Sequence, residues 1–164
     1  WPMMMIDYLS CVGYAEWYSQ KTGQKWRLPF EFEWEKAARG VDRRIYPWGN
    51  HFDHTWAHVR GSTAGGGHPR SVYDYPMDSS PYGVCGMCGN FMDWTGSVYI
   101  EDKAEWDQKE YIEEPGTNSA VERKVRGGVW TKGLEGVRIC NRMRWPPQSR
   151  FWYLSFRLLC ELDD

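Results

Sequence analysis

The stretch Trp26-Arg27-Leu28-Pro29-Phe30-Glu31-Phe32-Glu33-Trp34-Glu35, continued by Ala37-Ala38-Arg39-Gly40, changes character at its proline. Pro29 suits a helix entrance, where its fixed φ is already helical. From Phe30 to Arg39 the spacing predicts a helix, with Phe30, Trp34 and Ala37 or Ala38 on one face and Gly40 as the cap that ends it. Glu31, Glu33 and Glu35 alternate, so a helix does not place them together. They do not read as a catalytic set; Glu33 or Glu35 reads as a partner of a neighbouring arginine or as a solvent-facing group. Upstream, Ile6 to Lys21 predicts a first helix. Asp7 lies near its start, Cys11, Tyr14, Ala15 and Tyr18 recur at spacings of three and four to form a core stripe, and Thr22-Gly23 closes it.

Outward from these helices the composition fits one domain over residues 1–164. A chain of 164 residues supports a single core, and an aromatic content of 16% supplies bulk to fill it. Seventeen glycines and nine prolines, spread along the chain, predict many turns and much irregular backbone. Net charge is −2 with the two signs interspersed, and the aromatic residues are not interleaved with Lys/Arg clusters. That pattern argues against a nucleic-acid partner. No apolar run of about 18 residues is present, so no membrane span is expected.

Five cysteines, Cys11, Cys85, Cys88, Cys140 and Cys160, are an odd number and argue against a complete disulfide framework. Cys85-Gly86-Met87-Cys88 has the spacing of half a zinc site or a redox pair, but no second CxxC and no downstream His pair completes it. Buried thiols are the expectation. His51, His54 and His58 lie near Asp53 in a stretch, His51 to Arg70, that reads as loop. His54 and His58 would share a face of a helix and suit zinc or copper, yet no apolar periodicity supports a helix there. The run Gly65-Gly66-Gly67 lacks the GK[ST] ending of a phosphate loop and reads as a connection.

Three further motifs follow in order: Tyr46-Pro47-Trp48-Gly49-Asn50, then Gly83 to Trp94 (GVCGMCGNFMDW), then Arg126-Gly127-Gly128-Val129-Trp130 with Asn141-Arg142 and Ser155-Phe156-Arg157-Leu158. Together with the opening stretch they resemble the formylglycine-generating enzyme (sulfatase-modifying factor) family, from about Pro2 to Cys160. The resemblance implies an α+β, C-type lectin-like fold: two helices, short antiparallel strands and much irregular loop. The family's N-terminal strands and first loop have no counterpart here.

The family's enzymes oxidise a substrate cysteine using two cysteines that hold copper, soft thiolate being the ligand that selects Cu(I). Counting from Gly127-Gly128 puts Lys132 and Val137 at those positions; counting back from Asn141-Arg142 puts Val129 and Leu134 there. Neither register supplies a thiol, so a non-enzyme is expected, with a copper-dependent oxidoreductase as the alternative. Related ergothioneine-type synthases use iron-binding histidines from a domain absent here. The family also admits calcium, for which Gly89, Phe91 and Asp93 are the candidate ligands, Asn90 lying among them. Gly86 stands where the family carries Asp or Asn. No other cofactor is expected.

Between the C-terminal anchors the chain is rich in residues favoured at recognition surfaces: Trp130, Thr131, Lys132, Leu134 and Glu135, then Met143, Arg144, Trp145, Gln148, Ser149, Phe151, Trp152 and Tyr153. Phe151-Trp152-Tyr153 has no alternation that would bury all three, so one should face outward. The frame around them resembles the variable proteins of bacterial diversity-generating retroelements, with Val129 and Ser155 as departures from that frame. The resemblance implies a ligand-binding protein whose C-terminal face contacts a protein or other surface ligand, and it favours a cell-surface or secreted location. A carbohydrate-binding lectin is a further alternative. Trp34, Trp48, Asn90, Trp94, Arg142 and Arg157 are expected to be framework.

Overall fold

The computed structural model describes residues 1–62, 67–99 and 121–162; Gly65 and Gly66 of the expected glycine connection lie outside them. Helix α1 spans Tyr8–Thr22. It begins two residues after Ile6 because Asp7 is extended and acts as the cap, its carboxylate accepting from the Ser10 N–H at 2.8 Å. Gly23, left-handed at φ 71°, ends it. Tyr8, Cys11 and Ala15 face the core. Tyr14 does not: it is 44% exposed and joins Trp17 and Tyr18 in an outer ring cluster, which corrects the expected core stripe.

Strand β1 (Lys25–Arg27) leads through Pro29 into α2 (Glu31–Arg39). The expected start at Phe30 is the cap residue instead, and the Glu33 carboxylate accepts from its N–H at 2.7 Å. Trp34 and Ala38 are buried. The remaining strands are β2 (Met92–Val98), β3 (Arg123–Arg126), β4 (Arg142–Trp145), β5 (Leu154–Phe156) and β6 (Leu159–Glu161). They form a four-stranded sheet, β4-β3-β2-β5, and a two-stranded sheet, β1-β6.

One pairing departs from the expected antiparallel strands: β5 runs parallel to β2, with Asp93 opposite Ser155 and Trp94 opposite Phe156. Parallel neighbours need a long crossover, and the chain makes this one through β3 and β4. The fold class is otherwise as expected, α+β and C-type lectin-like, with long irregular connections.

Under the four-stranded sheet, Tyr8, Leu28, Met92, Trp94, Val125 and Leu154 form the main core. Trp94 is fully buried and its indole N–H donates to the Ile6 carbonyl at 3.0 Å, so the ring is both packed and satisfied. Glu31 is 1% exposed and meets three cations: Lys124 Nζ at 2.8 Å, Arg126 at 3.3 Å and Arg142 Nε at 2.8 Å. A buried carboxylate persists only when paired in this way. Glu33 does pair with Arg27, at 2.7 Å, and Glu35 with Arg39 and Arg126. The Glu31 cluster pins α2 to β3 and β4, and so fixes the strands from which the C-terminal loops spring.

Candidate binding face

Two glycines aim the first of those loops. Gly127 has φ 84°, and a Cβ there would meet the Phe91 carbonyl at 3.2 Å. At Gly128 a Cβ would lie 2.5 Å from Val137 Cγ1. This close approach sends Val129 and Trp130 inward, and the chain then turns out through Thr131 and Lys132, whose N–H donates to the Val129 carbonyl at 2.8 Å. A single 3-10 turn follows at Leu134–Val137. Thr131, Lys132, Leu134 and Glu135 are all exposed.

The second loop leaves β4 and is tied to the start of α1. The Tyr8 N–H donates to the Pro147 carbonyl at 2.9 Å, Met5 N–H to the Phe151 carbonyl at 3.3 Å, and Arg150 Nε to Asp7 Oδ2 at 2.8 Å. Asp7 therefore caps the helix with one oxygen and holds the loop with the other. Burial pushes its carboxyl up, but hydrogen bonds from Ser10, and then the donors and charge of Arg150, outweigh that and hold it below the usual value.

Ring contacts join the two loops into one chain. Trp145 meets Phe151 at 4.8 Å, Phe151 stacks on Tyr153 at 5.2 Å, Tyr153 meets Trp152 at 5.1 Å, and Trp152 meets Trp130 at 4.5 Å. Trp130 then stacks on His58 at 5.9 Å, and His58 on Tyr75 at 5.5 Å. From Trp152 inward the exposure falls, 43% at Trp152, 4% at Trp130 and 2% at His58.

Of the expected contact residues, Arg144, Gln148 and Trp152 are exposed with the four of the first loop, and Met143, Trp145, Ser149, Phe151 and Tyr153 are half-buried. Trp130 is the correction. It was expected as an outward anchor, and its ring is buried against Phe91 and His58, where it supports Trp152. Glu122 pairs with Arg144 at 2.9 Å and Tyr99 lies under its guanidinium at 3.8 Å, so this side chain is braced.

His58 was a candidate metal ligand and has a different occupation. Its Nε2–H donates to the His68 carbonyl at 2.8 Å, which leaves Nδ1 to accept from the Ser62 and Tyr75 hydroxyls, each at 3.3 Å. Burial, with Arg70 nearby, holds its pKa below the ordinary value. His54 is exposed, with Nδ1 on the Arg60 carbonyl at 3.1 Å. Among the described residues no group of three His, Cys, Asp or Glu could hold a metal ion. The same residues include no helix long and apolar enough to cross a membrane.

A family model described as the sulfatase-modifying factor enzyme 1-like domain (FGE-sulfatase) matches residues 1–162. The chain belongs to the sulfatase-modifying factor family. It is 31% identical over 144 residues to "Serine/threonine-protein kinase pkn1" of Chlamydia caviae, covering 87% of this chain and 21% of that protein. It is 28% identical over 169 residues to "Inactive C-alpha-formylglycine-generating enzyme 2" of Bos taurus, covering 95% of this chain and 49% of the relative. Among solved structures, "Treponema denticola variable protein 1" superposes with a TM-score of 0.66 at 26% identity, covering 84% of this chain and 48% of that one. The chain thus spans half or less of the length of these relatives.

Within the sulfatase-modifying factor frame, the two positions that carry copper thiolates are filled by other groups in either register. Val129 and Val137 are core residues at 2% and 0% exposure, while Lys132 and Leu134 face solvent. All five cysteines are free thiols. Cys88 is buried with Sγ donating to the Val137 carbonyl at 3.1 Å, and burial beside Asp78 pushes its thiol well above the usual range. Asp78 in turn accepts from the Met87 and Cys88 amides at 3.2 and 3.1 Å, and burial raises its carboxyl to about 8.

The calcium candidates fit poorly. Asp93 Oδ2 is held by Arg157 Nε at 2.6 Å and Trp34 Nε1 at 2.8 Å, and the same guanidinium donates to the Cys85 and Gly86 carbonyls at 3.4 and 3.1 Å. A fixed positive charge already occupies the oxygen cluster that a hard cation would use. Gly89 packs so closely that a Cβ would lie 2.3 Å from the His58 carbonyl, and Phe91 turns its ring to Trp130.

Proposed function

We propose that this chain is a non-catalytic ligand-binding domain of the variable-protein type, presenting the two C-terminal loops as one contact surface to a protein or other surface ligand. The single observation that carries this reading is the graded ring series ending in exposed Trp152. Large aromatic side chains held by stacking offer contact area with little rotamer freedom left to lose, which lowers the ordering cost of association. Thr131, Lys132, Leu134, Glu135, Met143, Arg144, Trp145, Gln148, Ser149, Phe151, Trp152 and Tyr153 are the contact residues, and Trp130 is their support. The similarity to the Treponema denticola variable protein and to an inactive formylglycine-generating enzyme paralogue is consistent with this assignment. Display at the cell surface or secretion would give such a face access to ligands.

Sequencing the DNA beside the gene tests the proposal. A neighbouring reverse transcriptase, with a near-copy of the Arg126–Leu158 coding segment whose differing positions are adenines, supports it. A locus with neither removes the diversified-receptor reading.

A further inference from the structure

Beyond the C-terminal face, and independent of it, lies a cleft of about 480 Å³, within the size range of small-ligand sites. Its floor is set by the parallel pairing of β2 and β5. Asp93 on β2 lies opposite Ser155 on β5, and these two, with Phe91 just before β2 and Arg157 just beyond β5, line the cleft. Asp93 and Ser155 are 4% and 2% exposed. Asp93 Oδ2 is consumed by Arg157 and Trp34, but Oδ1 takes no hydrogen bond from any described residue, and neither does the Ser155 hydroxyl. Two deeply set polar groups are therefore left without partners at the bottom of an open cleft, which in a sealed interior would be costly.

The surroundings define what fits them. Arg157 neutralises the Asp93 carboxylate, so the floor carries no net charge and favours neither a cationic nor an anionic ligand. A neutral hydroxyl can donate to Oδ1, while Arg157, with only three of its N–H groups engaged, and Ser155 can donate to an adjacent oxygen. The wall is apolar and aromatic: Val72 is half-buried, and the ring of Tyr73 stands at the mouth, 78% exposed. A ring with vicinal hydroxyls on its edges and C–H groups on its face satisfies both floor and wall. We infer that this cleft binds a neutral saccharide unit, with a vicinal diol held by Asp93, Ser155 and Arg157 and the sugar face against Tyr73, without a metal ion.

The experiment is saturation-transfer and amide-shift NMR on the chain with the methyl glycosides of mannose, glucose, galactose and N-acetylglucosamine, each with and without EDTA. The inference expects at least one glycoside to bind, shifting amides around Val72, Asp93 and Ser155, with EDTA making no difference. Tyr73→Ala, at an exposed position, and Ser155→Ala should each weaken that binding by about tenfold or more, whereas Trp152→Ala leaves it unchanged. No shift with any of the four sugars, loss of binding in EDTA, or shifts that centre on Trp152 and survive Tyr73→Ala would each overturn it. The first two results leave the contact role of the C-terminal loops untouched, and the third would move the saccharide to that face.

Discussion

The indole of Trp152 rests on that of Trp130 with ring centroids 4.5 Å apart, the outer ring 43% exposed and the inner one 4%. The two residues are similar in chemistry and different in task. Truncating Trp130 opens a cavity between Phe91, His58 and Trp152, so Trp130→Ala should cost about 3–5 kcal/mol of stability. Trp152→Ala should change stability by less than about 1 kcal/mol and instead weaken ligand binding. Urea unfolding of the two variants separates them; equal destabilisation would show that Trp152 is core.

Removing the Glu31 carboxylate takes away the counter-charge shared by Lys124, Arg126 and Arg142 and leaves Arg126, 0% exposed, with Glu35 as the carboxylate still paired to it. Glu31→Ala should therefore destabilise the chain by about 3–5 kcal/mol. Chemical denaturation measures it, and a cost near that of a surface pair would refute the buried-cluster account.

Asp7 couples a helix start to a contact loop. Asp7→Ala loses the cap and releases Arg150, costing about 1–2 kcal/mol, and it should loosen the turn around Pro147. Faster amide exchange at Ser149 and Phe151 in this variant is the expected outcome; unchanged exchange there would mean that the loop orders itself.

Two buried groups give opposite pH dependences. The folded pKa of His58 lies below its unfolded value of about 6.5, so its contribution is fully present above that value and is lost as pH falls through the folded pKa. The folded pKa of Asp78, about 8, lies above its unfolded value. Its contribution is fully present below the unfolded value and is lost as pH rises through about 8. Thermal unfolding should show the Asp78 contribution falling away between about pH 4 and about pH 8 in the parent, and a flatter profile over that interval in Asp78→Asn. His58→Gln should flatten the acid side.

With no thiolate pair beside the Gly127-Gly128 turn, copper-dependent oxygen consumption on a cysteine-containing peptide should be absent, and Cys140→Ser should alter nothing in that assay. Turnover abolished by Cys140→Ser would establish an enzyme with a rearranged site.

Both helices and their caps were legible because their signals are local: Asp7, Gly23, Pro29 and Gly40 act within a turn of where they stand. The family frame was legible for the same reason, as ordered short motifs. What escaped depends on residues far apart in the chain. The three cations around Glu31 come from Lys124, Arg126 and Arg142, some hundred residues away, so an alternating acidic run gave no hint of burial. Trp130 lies in a loop without periodicity, where nothing local distinguishes a ring turned inward by two glycines from one turned out. The parallel partnership of β2 and β5, which creates the cleft, has no short-range signature. His58 looked like a ligand because its neighbours in sequence are histidines, while its neighbours in space are Tyr75 and Trp130.

The measurement that tests the central claim most directly is sequencing of this gene's 126–158 segment across a population of its source organism. Substitutions should concentrate at Thr131, Lys132, Leu134, Glu135, Met143, Arg144, Trp145, Gln148, Ser149, Phe151, Trp152 and Tyr153, while Gly127, Gly128 and Trp130 stay constant. Variation spread evenly over exposed and buried positions alike, or as frequent at Trp130 as at Trp152, would contradict a diversified face carried on a fixed aromatic support.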